Sequence, residues 1–526
     1  MPDREVLEVD VLFVGAGPAG LGGAIRLAQL AKAAGKSLNI TVLDKAREIG
    51  AHTLSGAVMD PKALRELIPD FEVQGAPIEG PVEEDFMYFL TKEEAVAFPF
   101  LPPSLRQHGN FIISLGQMVR WLGKQAEALG ISVFAGFPAV DALIENGAVV
   151  GVRTGDKGID KHGQRKANFE PGVDIKAKVT VVAEGPRGSL TRILSDRFKL
   201  ADGRPPQVYA TGVKEIWELP PGTAPRGRVV HTMGWPLKAD TFGGGFIYTM
   251  TKDRLDLGFV VGLDYHDPFT DPHHLLQQFK THPKIKAMLD HGKMVEYGAK
   301  TIPEGGWEAV PKLFMPGAMV AGDSAGFLDG KRLKGVHLAL KSGMLAAETA
   351  FEALEKGDPS EKTLSAYASR VEASYIKEEL WKARHFKKGF KFGGLYAGML
   401  GAAAGEFTDG LSPFSWVAVP AGHKQMETLE KVHGTSDAKP EKIKFDDKLT
   451  FSKTSDLYVS GTMHDEDQPC HLHVLEPNIC VDRCTKEFGN PCQHFCPANV
   501  YEWVKKDGQD TGRLQINFSN CVHCKT

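Results

Sequence analysis

Val9-Asp10-Val11-Leu12-Phe13-Val14-Gly15-Ala16-Gly17-Pro18-Ala19-Gly20 decides how the rest of this chain reads. Apolar and β-branched residues at 9–14 predict a short buried strand, and the alanine- and leucine-rich stretch 21–34 predicts a helix beyond a tight glycine turn. Gly15, Gly17 and Gly20 supply the turn, the close backbone approach to a pyrophosphate and close helix–strand contact, while the helix N-terminus favours negative charge. A second strand, Asn39-Ile40-Thr41-Val42-Leu43, delivers Asp44, whose carboxylate is placed to accept hydrogen bonds from a ribose diol.

Two later segments end the same way. Val179-Thr180-Val181-Val182-Ala183-Glu184-Gly185 reads as a buried strand and small turn, followed by Gly188 and a helix from Ser189. Ala318-Met319-Val320-Ala321 reads as another, closing on Gly322-Asp323-Ser324-Ala325-Gly326. This resembles flavoproteins of the glutathione-reductase type, and the resemblance implies that Asp323 lies near the ribityl chain and pyrophosphate of FAD. No second complete Gly-x-Gly-x-x-Gly follows, which argues against a separate NAD(P)H domain. Gly322 to Gly326 also matches the Gly-x-Ser-x-Gly elbow of α/β-hydrolases, but nothing in the spacing of His337, His385 or His423 recommends a partner, and a dinucleotide loop has no role in that chemistry.

The chain has 526 residues, enough for about three or four folding units at the usual domain size. It carries 62 basic and 66 acidic side chains, a net charge of −4, with no polybasic tract, so no nucleic-acid partner is expected. Residues 1–10 are acidic and lead straight into a strand, without the charged and apolar regions of a signal peptide. Thiols that stay in a reducing compartment read as metal ligands before they read as disulfides.

All seven cysteines lie at 470, 480, 484, 492, 496, 521 and 524. Cys492-Gln493-His494-Phe495-Cys496-Pro497 has the Cys-x3-Cys-Pro ending of a bacterial ferredoxin run, and Cys521-Val522-His523-Cys524 follows. The two cysteines that would precede Cys492 in a full run are replaced by Lys486 and Gly489, so a first cluster is lost and Cys496 serves the second. A [4Fe–4S] site is expected from Cys496, Cys521, Cys524 and a fourth cysteine three residues further on, past Thr526. That expectation makes the sequence a truncated one; substitution by Cys492, a three-thiolate [3Fe–4S] centre and zinc are the alternatives. Cys470, Cys480 and Cys484 read as free thiols. Tyr501-Glu502-Trp503-Val504 and Arg513-Leu514-Gln515-Ile516-Asn517 are expected to be short strands over the site.

Several longer runs are more specific. Gly50-Ala51-His52-Thr53-Leu54-Ser55-Gly56-Ala57, His231-Thr232-Met233-Gly234-Trp235-Pro236-Leu237, Val261-Gly262-Leu263-Asp264-Tyr265 and Cys521-Val522-His523-Cys524-Lys525-Thr526 resemble the electron transfer flavoprotein–ubiquinone oxidoreductase family from the first strand to the last residue. The resemblance implies FAD and one [4Fe–4S] cluster, a reduced electron transfer flavoprotein as donor, ubiquinone as acceptor, and a monotopic seat on a membrane surface, here the cytoplasmic face of a bacterial inner membrane. It implies an α/β and α+β multidomain fold. Residues 1–80, 110–200 and 296–375 would form a glutathione-reductase-type, Rossmann-like FAD domain, with Gly185, Gly322 and Asp323 added to its site. Residues 81–109 would be a ubiquinone and membrane loop, 201–295 a ubiquinone-binding mixed sheet, 376–440 a membrane-surface and ubiquinone-binding segment and 441–526 a ferredoxin-like domain. By the same analogy ubiquinone lies near Gly243, Gly244 and Gly245, a run that otherwise reads as a flexible strand bend, and His52 and His337 are candidates for the flavin's surroundings. The extra cysteines at 470, 480, 484 and 492 depart from the family.

Residues 393–405 are uncharged and apolar but fall short of the roughly 20 that span a bilayer. Lys382, Arg384, Lys387, Lys388 and Lys391 precede them, and Leu411, Pro413, Phe414 and Trp416 follow, a pattern that fits an interfacial anchor or a buried helix with a basic flank. Phe98-Pro99-Phe100-Leu101-Pro102-Pro103 cannot be a central strand, because prolines lack the amide donor, and is expected to dip into lipid or pack as a turn. Two other readings stay open: a geranylgeranyl-reductase-like flavoenzyme acting on isoprenoid double bonds, and a flavin-binding scaffold with a zinc tail.

Overall fold

The computed structural model describes residues 4–53, 56–505 and 512–526. Leu54 and Ser55 of the run at 50–57 lie outside the described residues, as do residues 1–3 of the chain's opening.

The opening strand, Val6–Val14, is fully enclosed from Val11 onward because it runs down the middle of a sheet with parallel neighbours on both sides. Along that sheet stand Phe314–Met315, Ala318–Val320, Asp174–Val182, Val6–Val14, Ile40–Asp44 and Ser132–Ala135, with Ala148–Thr154 and Ala139–Glu145 attached to Asp174–Val182. Strands distant in sequence thus lie side by side, and their C-terminal ends, at Gly15, Asp44, Ala183 and Ala321, share one edge. The helix Pro18–Ala33 packs on the helix Val336–Lys356 at very short range: a β-carbon at Gly343 would lie 2.0 Å from the Ala19 carbonyl oxygen. Only small residues permit that approach.

A second sheet of seven strands runs Lys293–Pro303, Tyr209–Glu218, Arg254–Gly262, Gly243–Met250, Arg228–Gly234, Glu84–Leu90 and Ala95–Ala97, antiparallel except where Arg228–Gly234 meets Glu84–Leu90. The segment expected as a loop at 81–109 therefore contributes two strands, and the expected break at 295/296 falls inside Lys293–Pro303. The reason is pairing: Tyr209 through Glu218 find partners along that whole strand, from Pro303 back to Lys293. One face is covered by the helix Pro272–Thr281, whose Phe279 is fully buried beneath the strands, a burial of about 1.5–3 kcal/mol.

The C-terminal module is small. The helices Lys453–Val459 and Cys492–Phe495 and the hairpin Tyr501–Lys505/Gly512–Ile516 surround a core of Cys496, Ala498 and Val500, and the two strands expected there are present. It is fastened to the second sheet by polar contacts. Tyr297 donates to Pro497 O (2.6 Å), and His273 Nε2 lies 2.7 Å from Asp456 Oδ2 in a fully buried pair.

The helix Phe386–Phe407 is broken at Gly393 and Gly394, where φ is −154° and +62°. Among the described residues no helix is long and apolar enough to cross a membrane.

Candidate functional site

At the glycine loop the backbone dictates the residues. Gly15 has φ +111°, and a β-carbon there would lie 2.2 Å from the Ala183 carbonyl oxygen; at Gly20 it would lie 1.9 Å from Gly15 O. Gly17 is the opposite case, with nothing within 4 Å of its missing β-carbon, and no side chain caps the helix that starts beside it. The result is an uncrowded cradle over a helix N-terminus, the shape and polarity a pyrophosphate requires.

Asp44 stands at the end of its strand, where its carboxylate accepts hydrogen bonds from Ala16 N (2.9 Å) and Ala46 N (2.8 Å). It clamps the glycine loop, a role the ribose-binding expectation lacked. Gly185 has φ +76°, and Ser324 donates to its carbonyl at 2.9 Å, so the hydroxyl singled out by the elbow pattern joins two strand ends. Gly322 has φ +64° and donates to Ser342 Oγ at 2.8 Å. Next to it, burial pushes the Asp323 carboxyl up to about 6 against the pull of Lys300. Burial lowers Lys300 in turn, and the charges of Cys524, Asp323 and Asp44 act to raise it.

Lys300 thus feels charges from both the nucleotide loop and the cysteines. Cys496 is buried, its sulfur accepts from Val500 N at 3.4 Å, and burial pushes the thiol up to about 11, with Cys524 adding to the rise. Cys521 is raised mainly by burial. Cys524 accepts a hydrogen bond at its carbonyl from Thr301 N (2.8 Å), and its sulfur accepts from Thr526 Oγ1 (3.2 Å). Three converging thiols with neighbouring amide and hydroxyl donors form a soft donor set of the type that holds iron–sulfur clusters.

The tail that carries these cysteines is stitched to the dinucleotide domain. Lys45 Nζ lies 3.3 Å from His523 Nδ1, Arg187 donates to Lys525 O at 3.1 Å, and the rings of His52 and His523 are 4.4 Å apart. His464 and His471 complete a group of four imidazoles, with ring centroids 5.0 Å and 5.3 Å from His523. Donor atoms of His471, Cys521 and His523 all lie within 4.8 Å of one another. Burial lowers His52 and His471 to about 4, so these rings are neutral at physiological pH. The sequence offered little signal for this group beyond the position of His523 between two cysteines. His337 lies elsewhere: fully buried, it holds Glu379 at 2.9 Å in a polar knot with Lys62 and Arg332.

Gly243, Gly244 and Gly245 do not form a bend. They open the regular strand Gly243–Met250 and pair with Val261, Val260 and Phe259. Side chains are excluded by neighbours: a β-carbon at Gly244 would lie 2.1 Å from Thr232 O, and at Gly245 2.3 Å from Phe279. Just before them Phe242 packs edge-on against Phe386 and Phe390. With Asp264, His266 and residues 390–394 it lines an open cleft of about 380 Å³. Elsewhere on the sheet Lys214 Nζ donates to Gly56 O (2.5 Å) and pairs with buried Asp256 (3.4 Å). Burial pushes the Asp256 carboxyl up to about 7 despite the Lys214 charge.

The expected membrane pieces meet. Ser104, beyond the proline-rich loop, donates to Glu406 near the end of the broken helix, and Lys331 reaches the same carboxylate at 3.0 Å. Phe100, Tyr396 and Trp416 are 71%, 71% and 72% exposed, and Phe392 and Leu400 are also exposed.

Comparison with known proteins gives two matching family profiles: ETF-QO, ubiquinone-binding, over residues 209–302, and electron transfer flavoprotein-ubiquinone oxidoreductase, 4Fe-4S, over residues 447–526. The mitochondrial electron transfer flavoprotein-ubiquinone oxidoreductase of Arabidopsis thaliana is 42% identical over 525 residues, covering 99% of this chain and 81% of the plant protein. The Homo sapiens protein of the same name is 41% identical over 538 residues, covering 100% and 86%. Among solved structures, a geranylgeranyl bacteriochlorophyll reductase-like protein from Thermoplasma acidophilum superposes with a TM-score of 0.59 at 18% identity, covering 82% of this chain and 97% of that one. A flavin-dependent brominase gives 0.52 at 17%, covering 77% and 94%. Likeness at that identity shows the fold alone, that of FAD-dependent flavoproteins.

Proposed function

Because the chain belongs to the electron transfer flavoprotein–ubiquinone oxidoreductase family, we propose that it takes electrons from a reduced electron transfer flavoprotein and delivers them to ubiquinone, with FAD and a [4Fe–4S] cluster as resident cofactors. When bound, the cluster exchanges electrons singly and FAD singly or in pairs, which matches a two-electron quinone to one-electron partners.

The observation that carries this reading is the stitching of residues 521–526 to the dinucleotide domain, through His523 on Lys45 and Lys525 on Arg187, and to the second sheet, through Cys524 on the strand of Lys300. Gly15, Gly17 and Gly20 would hold the FAD pyrophosphate, with Gly17 leaving the cradle open. Asp44 fixes the loop and offers its remaining lone pairs to a ribose. Gly185, Gly322 and Asp323 would line the ribityl side. Cys496, Cys521 and Cys524 would hold the cluster, with hydrogen bonds to Cys496 and Cys524 offsetting the negative charge of their thiolates.

Ubiquinone would approach along the cleft beside Phe242, adjoining Gly243, Gly244 and Gly245, where aromatic walls suit a quinone ring and isoprenoid chain. Asp256 can hold a proton near neutral pH, and its Oδ1 is buried without a hydrogen-bond partner among the described residues. Phe100, Phe392, Tyr396, Leu400 and Trp416 would seat the protein in one leaflet, with Lys388 and Lys391 at headgroup level, as a monotopic protein on the cytoplasmic face of a bacterial inner membrane.

The test is anaerobic. Holoprotein reduced by electron transfer flavoprotein is mixed with a soluble ubiquinone analogue, and quinol is expected to form in proportion to the electrons supplied. Reduction of the bound flavin without quinol formation defeats the proposal.

A further inference from the structure

Lys387, one of the cations that precede the apolar stretch 393–405, does not face outward. It sits in the first turn of the helix Phe386–Phe407 and is buried, its ammonium 3.8 Å above the ring of Phe242. Two carboxylates share it: Asp264 Oδ1 and Glu304 Oε2 each lie 3.3 Å from Lys387 Nζ. The second sheet fixes both acids, because each follows the end of a strand that flanks Tyr209–Glu218, where Gly262 pairs with Ala210 and Pro303 with Tyr209. Leu263 N and Glu304 N then donate to Tyr209 O and Val208 O, at 2.8 Å each. A β-carbon at Gly262 would lie 2.6 Å from Asp264 Oδ1 and 3.1 Å from Lys387 Nζ, so glycine leaves the gap that the ion pair occupies.

The trio has two ends. Asp264 and Phe242 line the open cleft, whereas Glu304 is enclosed, its Oε1 without a hydrogen-bond partner among the described residues. A β-carbon at Gly330, just past the turn at Gly322–Gly326, would lie 3.4 Å from Glu304 Cβ, so the inner end abuts the flavin side. With all three groups ionised the site would carry a buried net charge of −1, which desolvation opposes and one proton shared between the acids removes. Burial accordingly raises Glu304, with Lys387 opposing and Asp264 adding to the rise. Lys387, despite its burial, is raised by Asp264 and Glu304 and stays charged. Other charges nearby are engaged elsewhere: Glu308 pairs with His385 (3.4 Å) and Lys388 (2.9 Å), and His266 lies 3.9 Å from Glu427. Asp240 and Lys391 also line the cleft.

We propose that Asp264 is the proton donor to a quinone in this cleft and that Lys387 and Glu304 act through it by resupplying the proton, an assignment that rests on the quinone-binding reading above. Quinone takes up two electrons and two protons on becoming quinol. The electrons arrive from the reduced donor flavoprotein by way of the resident cofactors. At one carbonyl oxygen an O–H bond forms as that of Asp264 breaks; Lys387 passes a proton to Asp264 and takes the one held by Glu304. The second proton comes from water at the open mouth of the cleft, and water reprotonates the trio through Asp264, whose side chain is 12% exposed.

Wild-type holoprotein, Asp264→Asn and Glu304→Gln are reduced anaerobically by electron transfer flavoprotein and mixed with a soluble ubiquinone analogue at a series of pH values. Asp264→Asn is expected to slow quinol formation about 100-fold, with KM for quinone and the rate of flavin reduction by the donor unchanged. Acetic acid, small enough for the open cleft, is expected to restore part of that rate, and Asp264→Glu most of it. Glu304→Gln leaves Asp264 as the sole carboxylate on Lys387, which lowers the Asp264 pKa. Because the acid donates only when protonated, the fall of rate with rising pH is expected to begin at lower pH than in the wild type. Absence of quinol with the wild type defeats the quinone reading and this assignment with it. Quinol from the wild type, matched in rate and pH profile by Asp264→Asn, overturns the donor alone. A loss in Asp264→Asn that neither acetic acid nor Asp264→Glu relieves marks a packing role and overturns it too. An unmoved pH profile in Glu304→Gln refutes the relay, and decides by itself should Asp264→Asn fail to fold.

Discussion

A β-carbon at Gly15 would lie 2.2 Å from the Ala183 carbonyl oxygen, whereas around Cys496 the local buried core consists of Ala498 and Val500. At the dinucleotide end the shape of the site is written into the backbone of a large parallel sheet, with Val11, Leu12 and Phe13 fully enclosed beneath it. At the cysteine end few apolar residues are buried, and the free thiols of Cys496, Cys521 and Cys524 take their place. The first site exists before its cofactor arrives. The second depends on its cofactor to be a stable site at all, because metal-binding energy becomes folding energy in small modules.

That contrast is broken or sharpened first at Cys496. Structural metal sites contribute on the order of 10 kcal/mol to the fold that holds them, so Cys496→Ser is expected to abolish iron binding and leave the module open to protease. Flavin content is expected to persist. Simultaneous loss of iron and flavin would show that the dinucleotide end leans on the module and would erase the distinction. The reciprocal change is Gly15→Ala. Strain at φ +111° together with the clash against Ala183 is expected to cost about 2–4 kcal/mol and to lower bound FAD at least tenfold, with iron content retained. Flavin absorbance and iron per chain, read on the same sample, check both.

How far each end could be read from the sequence follows the same division. The strand, glycine turn and helix at residues 9–33 are local features, and the constraint on Gly20 is the neighbouring Gly15 carbonyl; Gly15 also faces the distant Ala183 carbonyl, but its need for glycine shows in the local fingerprint, and the strand ends at Gly185 and Gly322 repeat the signal. The reasons for Gly243, Gly244 and Gly245 are not local. They arise from Thr232, Phe279 and Val260 on other elements, so a run that reads as a bend in isolation forms a fully paired strand. The strand Lys293–Pro303 was likewise divided at 295/296 because nothing in its own residues announces that Tyr209–Glu218 pairs along its whole length. The four histidines come from positions 52, 464, 471 and 523, and only tertiary structure collects them.

The seam between the two ends is the next place to press. Arg187→Ala removes the guanidinium that donates to Lys525 O, a charged hydrogen bond of about 1.5–3 kcal/mol. Hydrogen exchange across residues 521–526 is expected to rise while flavin and iron contents hold. Unchanged exchange would mean that the Thr301 to Cys524 and Lys45 to His523 contacts suffice to hold the tail.

The smallest effect is expected within the sheet between the two ends, at Asp256. Its folded carboxyl is pushed up to about 7 from an ordinary value near 4, so the folded state binds a proton more tightly than the unfolded chain. Stability from this group is therefore fully present below pH 4 and is lost as pH rises through about 7. Asp256→Asn stays neutral throughout and is expected to flatten that decline in denaturant titrations across the pH window. The outcome bears on function as well as folding. If the same variant also removes a step near pH 7 from quinone reduction, with bound flavin unchanged, Asp256 moves a proton during turnover; if only the stability curve flattens, the Lys214–Asp256 pair is there to hold the loop at Gly56.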